Sequence, residues 1–555
     1  MESSKRANLL LILCDQLRYD FIGANGCSFI HTPNIDRLAE EGCCFEHAYS
    51  PNPVCVAARS NLFSGLPARY HGFDDNYFGK HRKPFPYYLP TLPQILSDSG
   101  YETAAVGKMH FQPRRRAMGF DFFYSMEEIP DTREADDYAM FLKEQGYGHI
   151  QSLHGVRGCL YMQPQRSLLP ERLHGSVWVA ERTIEYLERT RARKPFFLCA
   201  SFIQPHPPFN VPDSWADRYC GTLPPPVRTK TPLPVIGEEN KKLACLENDE
   251  EVMRVRELYA SSVSFMDRQV GRILDCLDEL NLSESTLVMF VSDHGEMLGD
   301  LGTYQKFLPY DPSSRIPMIL RYPGIVAAGA RRRDFVDLND VMPTFLDAAG
   351  VAYPGNYELP GESLLISGGK KNRTVQYVEH QRESKRWCSL RNQQYKYVHY
   401  YGDRDQFFHM EKDPQETDNL LSRKLSKEEY ESYQSLRSEL ISYESRWGLE
   451  GCVTGERFSE FPPYRANPGY EVNLPKFYQM IVDKKEADGM MDYRQEVLEA
   501  IKKEPIVNLK TNHTAEILRQ SKRYREEEIE GLIEQAGLQR SAYNQKKVNG
   551  RESAK

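Results

Sequence analysis

Asn8-Leu9-Leu10-Leu11-Ile12-Leu13-Cys14-Asp15-Gln16 is the stretch that decides the fold class. Leu9–Leu13 is apolar at every position, which suits a strand buried on both faces of a parallel sheet rather than one facing solvent. The run then stops at an acid. Thr286–Val291 repeats the pattern and ends at Ser292-Asp293-His294-Gly295. Glu102–Val106 leads into Gly107-Lys108-Met109-His110, and Phe196–Phe202 into Pro205-His206-Pro207-Pro208. Between these runs, Asn34–Glu41, Thr91–Ser97, Val177–Arg191 and Glu250–Leu280 read as helices; the last carries Val255, Leu258, Val263, Val270, Ile273 and Leu274 near helical spacing. Alternating strands and helices predict an α/β fold, a large mostly parallel sheet flanked by helices. Sites in such folds gather at the carboxyl ends of strands. Asp15, His110, His206 and Asp293 each follow a predicted strand.

After about residue 380 the texture changes. Lys385–Leu390, Tyr395–Tyr401 and Gln406–Met410 read as short strands joined by polar turns, hence a smaller C-terminal antiparallel-sheet subdomain. Lys424–Trp447 reads as a charged helix, and Arg519–Ile533 as another within a charged, mainly helical tail. The expected division is 1–380, an α/β catalytic domain; 381–450, the antiparallel subdomain; and 451–555, a C-terminal extension. The 555 residues carry a net charge of −7, which gives no case for nucleic acid. No stretch reaches the roughly 20 apolar residues of a membrane span. The Leu9–Leu13 run is too short for a signal sequence, so a cytoplasmic location is the expectation. The twelve cysteines are scattered without a Cys-x-x-Cys pair, so a structural zinc site is not expected.

One cysteine stands in a distinctive block, Cys55-Val56-Ala57-Ala58-Arg59-Ser60-Asn61-Leu62-Phe63-Ser64-Gly65. This resembles the signature of the sulfatase family, within the alkaline-phosphatase-like superfamily, in which the cysteine is oxidised to formylglycine. Further landmarks of that resemblance are Asn8–Asp20, Ala105–His110, Pro205–Asn210, Val291–Gly295, Arg315–Pro323 and Phe407–Leu420, and together they cover roughly 8–450. The resemblance implies a sulfuric ester hydrolase. Its hydrated aldehyde offers two hydroxyls, one to attack sulfur and one whose deprotonation expels the sulfate. Arg59, one helical turn on, is placed to hold the oxyanion of that group. The implied metal ligands are Asp15, Gln16, residue 55, Asp293 and His294, around one divalent cation. Calcium (Ca2+) is expected, although the nitrogen of His294 suits manganese or zinc better. Lys108 and His110 match a Gly-Lys-x-His motif in which the lysine binds a sulfate oxygen and the histidine contacts the nucleophile region. His206 and Lys306 match residues that protonate the departing oxygen or stabilise its charge. Asn76 falls where relatives contact substrate, and the Arg114-Arg115-Arg116 triplet either faces solvent or draws in a polyanionic glycan.

Three activities compete. The leading one removes sulfate from a sulfated small molecule or glycan, with a glycosaminoglycan-type carbohydrate favoured because the long tail can wall a sugar pocket. A phosphonate monoester or phosphodiester hydrolase of the same superfamily also shows Asp-Gln and Asp-His at these positions, but tends to lack the Lys-x-His pair. A non-catalytic binder of sulfated glycans is the third. Ala57, where many relatives have Pro, points to a bacterial source and to a sulfatase-maturing enzyme as partner. Specificity loops are expected in 111–175 and 207–250. The oligomeric state is left open.

Overall fold

The computed structural model describes residues 6–76, 83–157, 160–190, 194–244, 246, 248–365, 373–465, 493–504, 525–531 and 534. Its centre is an eight-stranded sheet. The strands are β1 (Asn8–Asp15), β2 (Cys43–Tyr49), β3 (Glu102–Gly107), β4 (Phe122–Ser125), β5 (Phe196–Pro205), β6 (Thr286–Ser292), β7 (Met318–Arg321) and β8 (Ala330–Asp337), in the order β4-β3-β5-β1-β6-β7-β2-β8. Every neighbouring pair is parallel except those made by β7, which runs antiparallel to both β6 and β2.

The apolar runs are continuous because the sheet is covered on both faces. In β1, Leu10, Ile12 and Cys14 join one core, whereas Leu9, Leu11 and Leu13 join the other. β6 divides the same way, with Val288 and Phe290 on one side and Leu287, Met289 and Val291 on the opposite one. The first core is closed by helices α1 (Pro33–Glu40), α3 (Gly175–Thr190) and α4 (Asp249–Glu279); the second by α2 (Cys55–Ser64) and α5 (Val341–Ala349). Gly107, at φ +97°, ends β3 where a Cβ would lie 1.9 Å from the Ser201 carbonyl oxygen of β5. Only glycine lets the two backbones approach so closely there.

A four-stranded antiparallel sheet follows, in the order β12-β11-β10-β9, from β9 (Gln376–Arg382), β10 (Lys385–Arg391), β11 (Tyr395–Tyr400) and β12 (Gln406–His409). The sheet therefore begins ahead of residue 381, with a strand that the sequence reading does not contain. Helix α6 (Lys427–Trp447) packs on one face. The other face is fixed to the large domain by Trp387, Val398, Tyr400 and Phe408 against Leu308 and Tyr310, and the Trp387 indole donates to the Phe307 carbonyl at 2.9 Å. Past 450 come a two-residue-strand hairpin, Val453–Thr454 with Arg457–Phe458, and helix α7 (Tyr493–Lys503). Most of the predicted Arg519–Ile533 helix lies outside the described residues, which show helix there at 526–531. Among the described residues, no helix is long and apolar enough to cross a membrane.

Candidate active site

Cys55 is the first residue of α2, entered from the extended Val54, and all ten residues of the helix are buried. The first turn leaves backbone N–H groups without helical partners. Asn76 supplies one acceptor: its Oδ1 takes the Val56 N–H at 2.9 Å. In this structure Asn76 thus braces the helix that presents Cys55.

The carboxyl ends of β1 and β6 meet opposite that helix end. Ligand atoms of Asp15, Cys55, Asp293 and His294 all lie within 4.8 Å of one another, fully buried. Cys55 Sγ is 3.1 Å from His294 Nε2 and 3.7 Å from Asp15 Oδ1. His294 Nδ1 donates to the Gly295 carbonyl at 3.0 Å, so Nε2 turns its lone pair inward. Two carboxylates, an imidazole lone pair and a cysteine sulfur form a donor set that suits one divalent cation. Gln16 is oriented differently. Its Nε2 donates to Glu296, and its Oε1 accepts from Lys306 Nζ at 2.6 Å. Gln16 and His110 both hold positive φ, at 70° and 56°, a strained state for such residues that clusters at functional sites.

Three cations close round this centre. Arg59 donates to Asp293 Oδ2 at 2.8 Å, to Ser201 Oγ at 3.0 Å and to the Lys108 carbonyl. Lys108 Nζ sits 2.5 Å from Asp15 Oδ2 and 2.7 Å from Glu128 Oε2. Lys306 Nζ lies 3.2 Å from Cys55 Sγ. Burial alone would raise the Asp15 pKa, but Lys108, His206, Lys306 and Arg59 outweigh it and hold the carboxyl well below the usual range. Burial opposes the charge on Lys108 too, yet Asp15 and Glu128 keep its pKa above that of a free lysine. The Cys55 thiol is pushed up to about 11, first by burial and then by Asp15. An unmodified Cys55 is thus held as a thiol at neutral pH, a poor nucleophile.

His110 and His206 stand one layer out. His206 Nε2 is 3.6 Å from Glu128, its Nδ1 bonded to the Pro207 carbonyl at 2.5 Å. The His110 backbone N–H donates to Glu127 at 2.9 Å, and its Nδ1 has no hydrogen-bond partner among the described residues. Burial lowers both imidazole pKa values well below normal. The Arg114-Arg115-Arg116 triplet is spent on structure: Arg114 pairs with Asp131 at 3.0 Å, Arg115 donates to the Ala135 carbonyl at 3.0 Å, and Arg116 stacks 3.8 Å from the Tyr87 ring centroid.

Four neighbours of this centre are missing from the sequence reading: Glu128, Arg157, Tyr161 and Glu296. Arg157 reaches Glu128 at 2.5 Å and lies 4.5 Å over the Tyr161 ring. Tyr161 in turn is 6.2 Å, ring to ring, from His206, and its hydroxyl feels the charge of Lys306. No periodicity or motif marks any of the four. Glu296 directly follows Asp293-His294-Gly295, the only sequence signal near any of them.

A buried metal-type cluster and a helix-borne cysteine at the carboxyl ends of a mostly parallel sheet define a hydrolase centre of the alkaline-phosphatase-like kind. The chain belongs to the sulfatase family, and so to the sulfuric ester hydrolases: the family model "Sulfatase" matches residues 7–351, and a second, "N-sulphoglucosamine sulphohydrolase, C-terminal", matches 299–445. Among characterised relatives, an arylsulfatase of Clostridium perfringens is 31% identical over 81% of this chain and 97% of its own. An N-acetylglucosamine-6-O-sulfatase of Bacteroides thetaiotaomicron is 24% identical over 76% of this chain and 84% of its own. Among solved structures, the phosphonate monoester hydrolase of Agrobacterium radiobacter superposes with a TM-score of 0.68 at 23% identity, over 80% of this chain and 96% of that one, a likeness of fold.

Proposed function

We propose that this protein hydrolyses O-sulfate esters of carbohydrates, with residue 55 in its formylglycine form and one divalent cation, calcium in the first instance, held by Asp15, Asp293, His294 and residue 55. Gln16 adds an oxygen ligand if its amide leaves Lys306. The single observation that carries the reading is the charge around Cys55. Four cations, Arg59, Lys108, Arg157 and Lys306, gather around Cys55 among the carboxylates Asp15, Glu128 and Asp293, with Glu296 behind Gln16, so an anionic group entering beside Cys55 meets Lys108 and Lys306. The bound ion would add positive charge for the sulfate oxygens and the attacking oxygen.

The chain's own groups then have separable tasks. Cys55 Sγ marks the position of the oxygen that replaces it. Arg59, braced by Asp293 and Ser201, holds that residue and the Asp15–Asp293 pair in register. Lys108 supports a sulfate oxygen. Lys306, which donates to Gln16 Oε1 at 2.6 Å and is drawn to the Asp15 carboxylate, faces the reacting atom and can offset charge on the departing oxygen. His110 and His206, both buried, cover the site on their side and limit the water that reaches it.

A phosphonate or phosphodiester reading has its own support in Asp15-Gln16 and Asp293-His294. Lys108 and His110 favour sulfate. Ala57 supports maturation by a dedicated enzyme of a bacterial host. The test is sulfate release from a panel of sulfated mono- and disaccharides by protein co-expressed with a maturing enzyme. Release from at least one saccharide, faster than from nitrophenyl sulfate, is the expected result. Turnover of phenyl phosphonate esters alone would overturn the proposal.

A further inference from the structure

The tail beyond residue 450 lies outside both family matches, yet it buries two carboxylates, which is rare unless they are paired. Glu496 of α7 and Glu504 just past it are both fully buried. Glu496 accepts from the backbone N–H of Gln151 at 2.6 Å and of Ser152 at 3.2 Å, and from the Ser152 hydroxyl at 2.5 Å. Glu504 pairs with Arg254 of α4 at 2.9 Å and with Arg166 at 3.2 Å. Lys503 Nζ donates to the Ser167 carbonyl at 2.5 Å. Val497, Ala500 and Ile501 are buried along the same helix.

These contacts fall at the two ends of one segment, 151–152 and 166–167. Between them stand Arg157 and Tyr161, which project to the Cys55 centre. Both are only partly buried, whereas Cys55, Lys108 and Lys306 are fully enclosed. The pair therefore forms the open side of the site, where a leaving group must lie.

We propose that α7 is a clip that fixes the 151–167 segment at both ends, making Glu496 and Glu504 positioning residues for substrate binding that act through Arg157 and Tyr161. The proposal rests on reading the Cys55 cluster as the reacting centre. A loop held at both ends presents its side chains without an ordering cost on binding, so loosening it raises KM and spares the chemical step.

The test uses the full-length matured protein with E496Q, E504Q and R157A, alone and combined, and follows kcat and KM for nitrophenyl sulfate together with hydrogen exchange of 151–167. Together E496Q and E504Q should raise KM about tenfold, with kcat within about twofold. Exchange should quicken in 151–167 and stay unchanged in β1 and β6. The KM effect of E504Q should be clearly smaller when residue 157 is already alanine, leaving only the part that acts through Tyr161. Unchanged exchange, a fall in kcat at constant KM, or an equal KM effect in the R157A background would each overturn the clip. If the wild type turns over only phenyl phosphonate, the sulfate reading fails, while the same comparison on the phosphonate still decides the clip. Should either Gln variant not fold, Ser152→Ala removes only the hydroxyl arm and gives the same exchange readout.

Discussion

Lys108 shows at the residue scale how the site is balanced. Its ammonium lies between Asp15 and Glu128, at 2.5 and 2.7 Å, wholly out of water. Removing it leaves the buried Asp15 and the half-buried Glu128 carboxylates facing each other with one fewer counter-charge. Lys108→Ala should therefore cost about 3 kcal/mol of stability, as expected for a broken buried pair, read by urea denaturation. It should also lower kcat/KM about 10³-fold through the lost support of the sulfate oxygen. A stability loss without an activity loss would place Lys108 in structure alone. Lys108 was legible in the sequence because it follows a strand and shares a motif with His110. Glu128 was not, because it is one of two adjacent acids in a loop and gains its partners Lys108 and Arg157 only when the chain folds. The Asn76 side chain was legible as near the site, but its bond to the Val56 N–H belongs to tertiary placement.

At the scale of elements, the strands that read most clearly carry the site. β1 and β6 announce themselves by unbroken apolar runs, β5 by a run broken only at Ser201, and β3 by the short Ala104–Val106, since each is buried on both faces. β2, β7, β8 and β9 do not. β8 begins Ala330-Arg331-Arg332-Arg333 at the sheet edge. β9, Gln376-Tyr377-Val378-Glu379-His380, looks like a polar segment but is buried, because its carboxylate meets Arg386 of β10 at 2.6 Å while Glu444 of α6 meets the same guanidinium at 2.6 Å. Burial, against the pull of Arg386 and with Glu444 adding, raises the Glu379 pKa to about 7. A carboxyl whose folded value lies above its unfolded value near 4.3 retains its proton in the native state. Its contribution is full below that unfolded value and is lost as pH rises through about 7. Glu379→Gln should accordingly raise Tm more at pH 8 than at pH 5, by scanning calorimetry. Equal shifts at the two pH values would contradict the assignment.

For the whole molecule, two sheets and a tail converge on one end of the large sheet. The α/β layer was readable from alternation alone, and the antiparallel sheet from its short strands and turns. The contact of Trp387 with the Lys306–Phe307 loop, and of α7 with 151–167, joins residues distant in sequence and leaves no local signal. The proposed sulfatase chemistry requires Cys55 as the source of the nucleophile for a sulfate ester. The most direct test compares kcat/KM for nitrophenyl sulfate and a phenyl phosphonate ester, using protein co-expressed with a maturing enzyme beside a Cys55→Ala control. The expected result is a sulfate preference that falls at least about 10⁴-fold in the control. A phosphonate preference, or sulfate turnover that survives in Cys55→Ala, would contradict it.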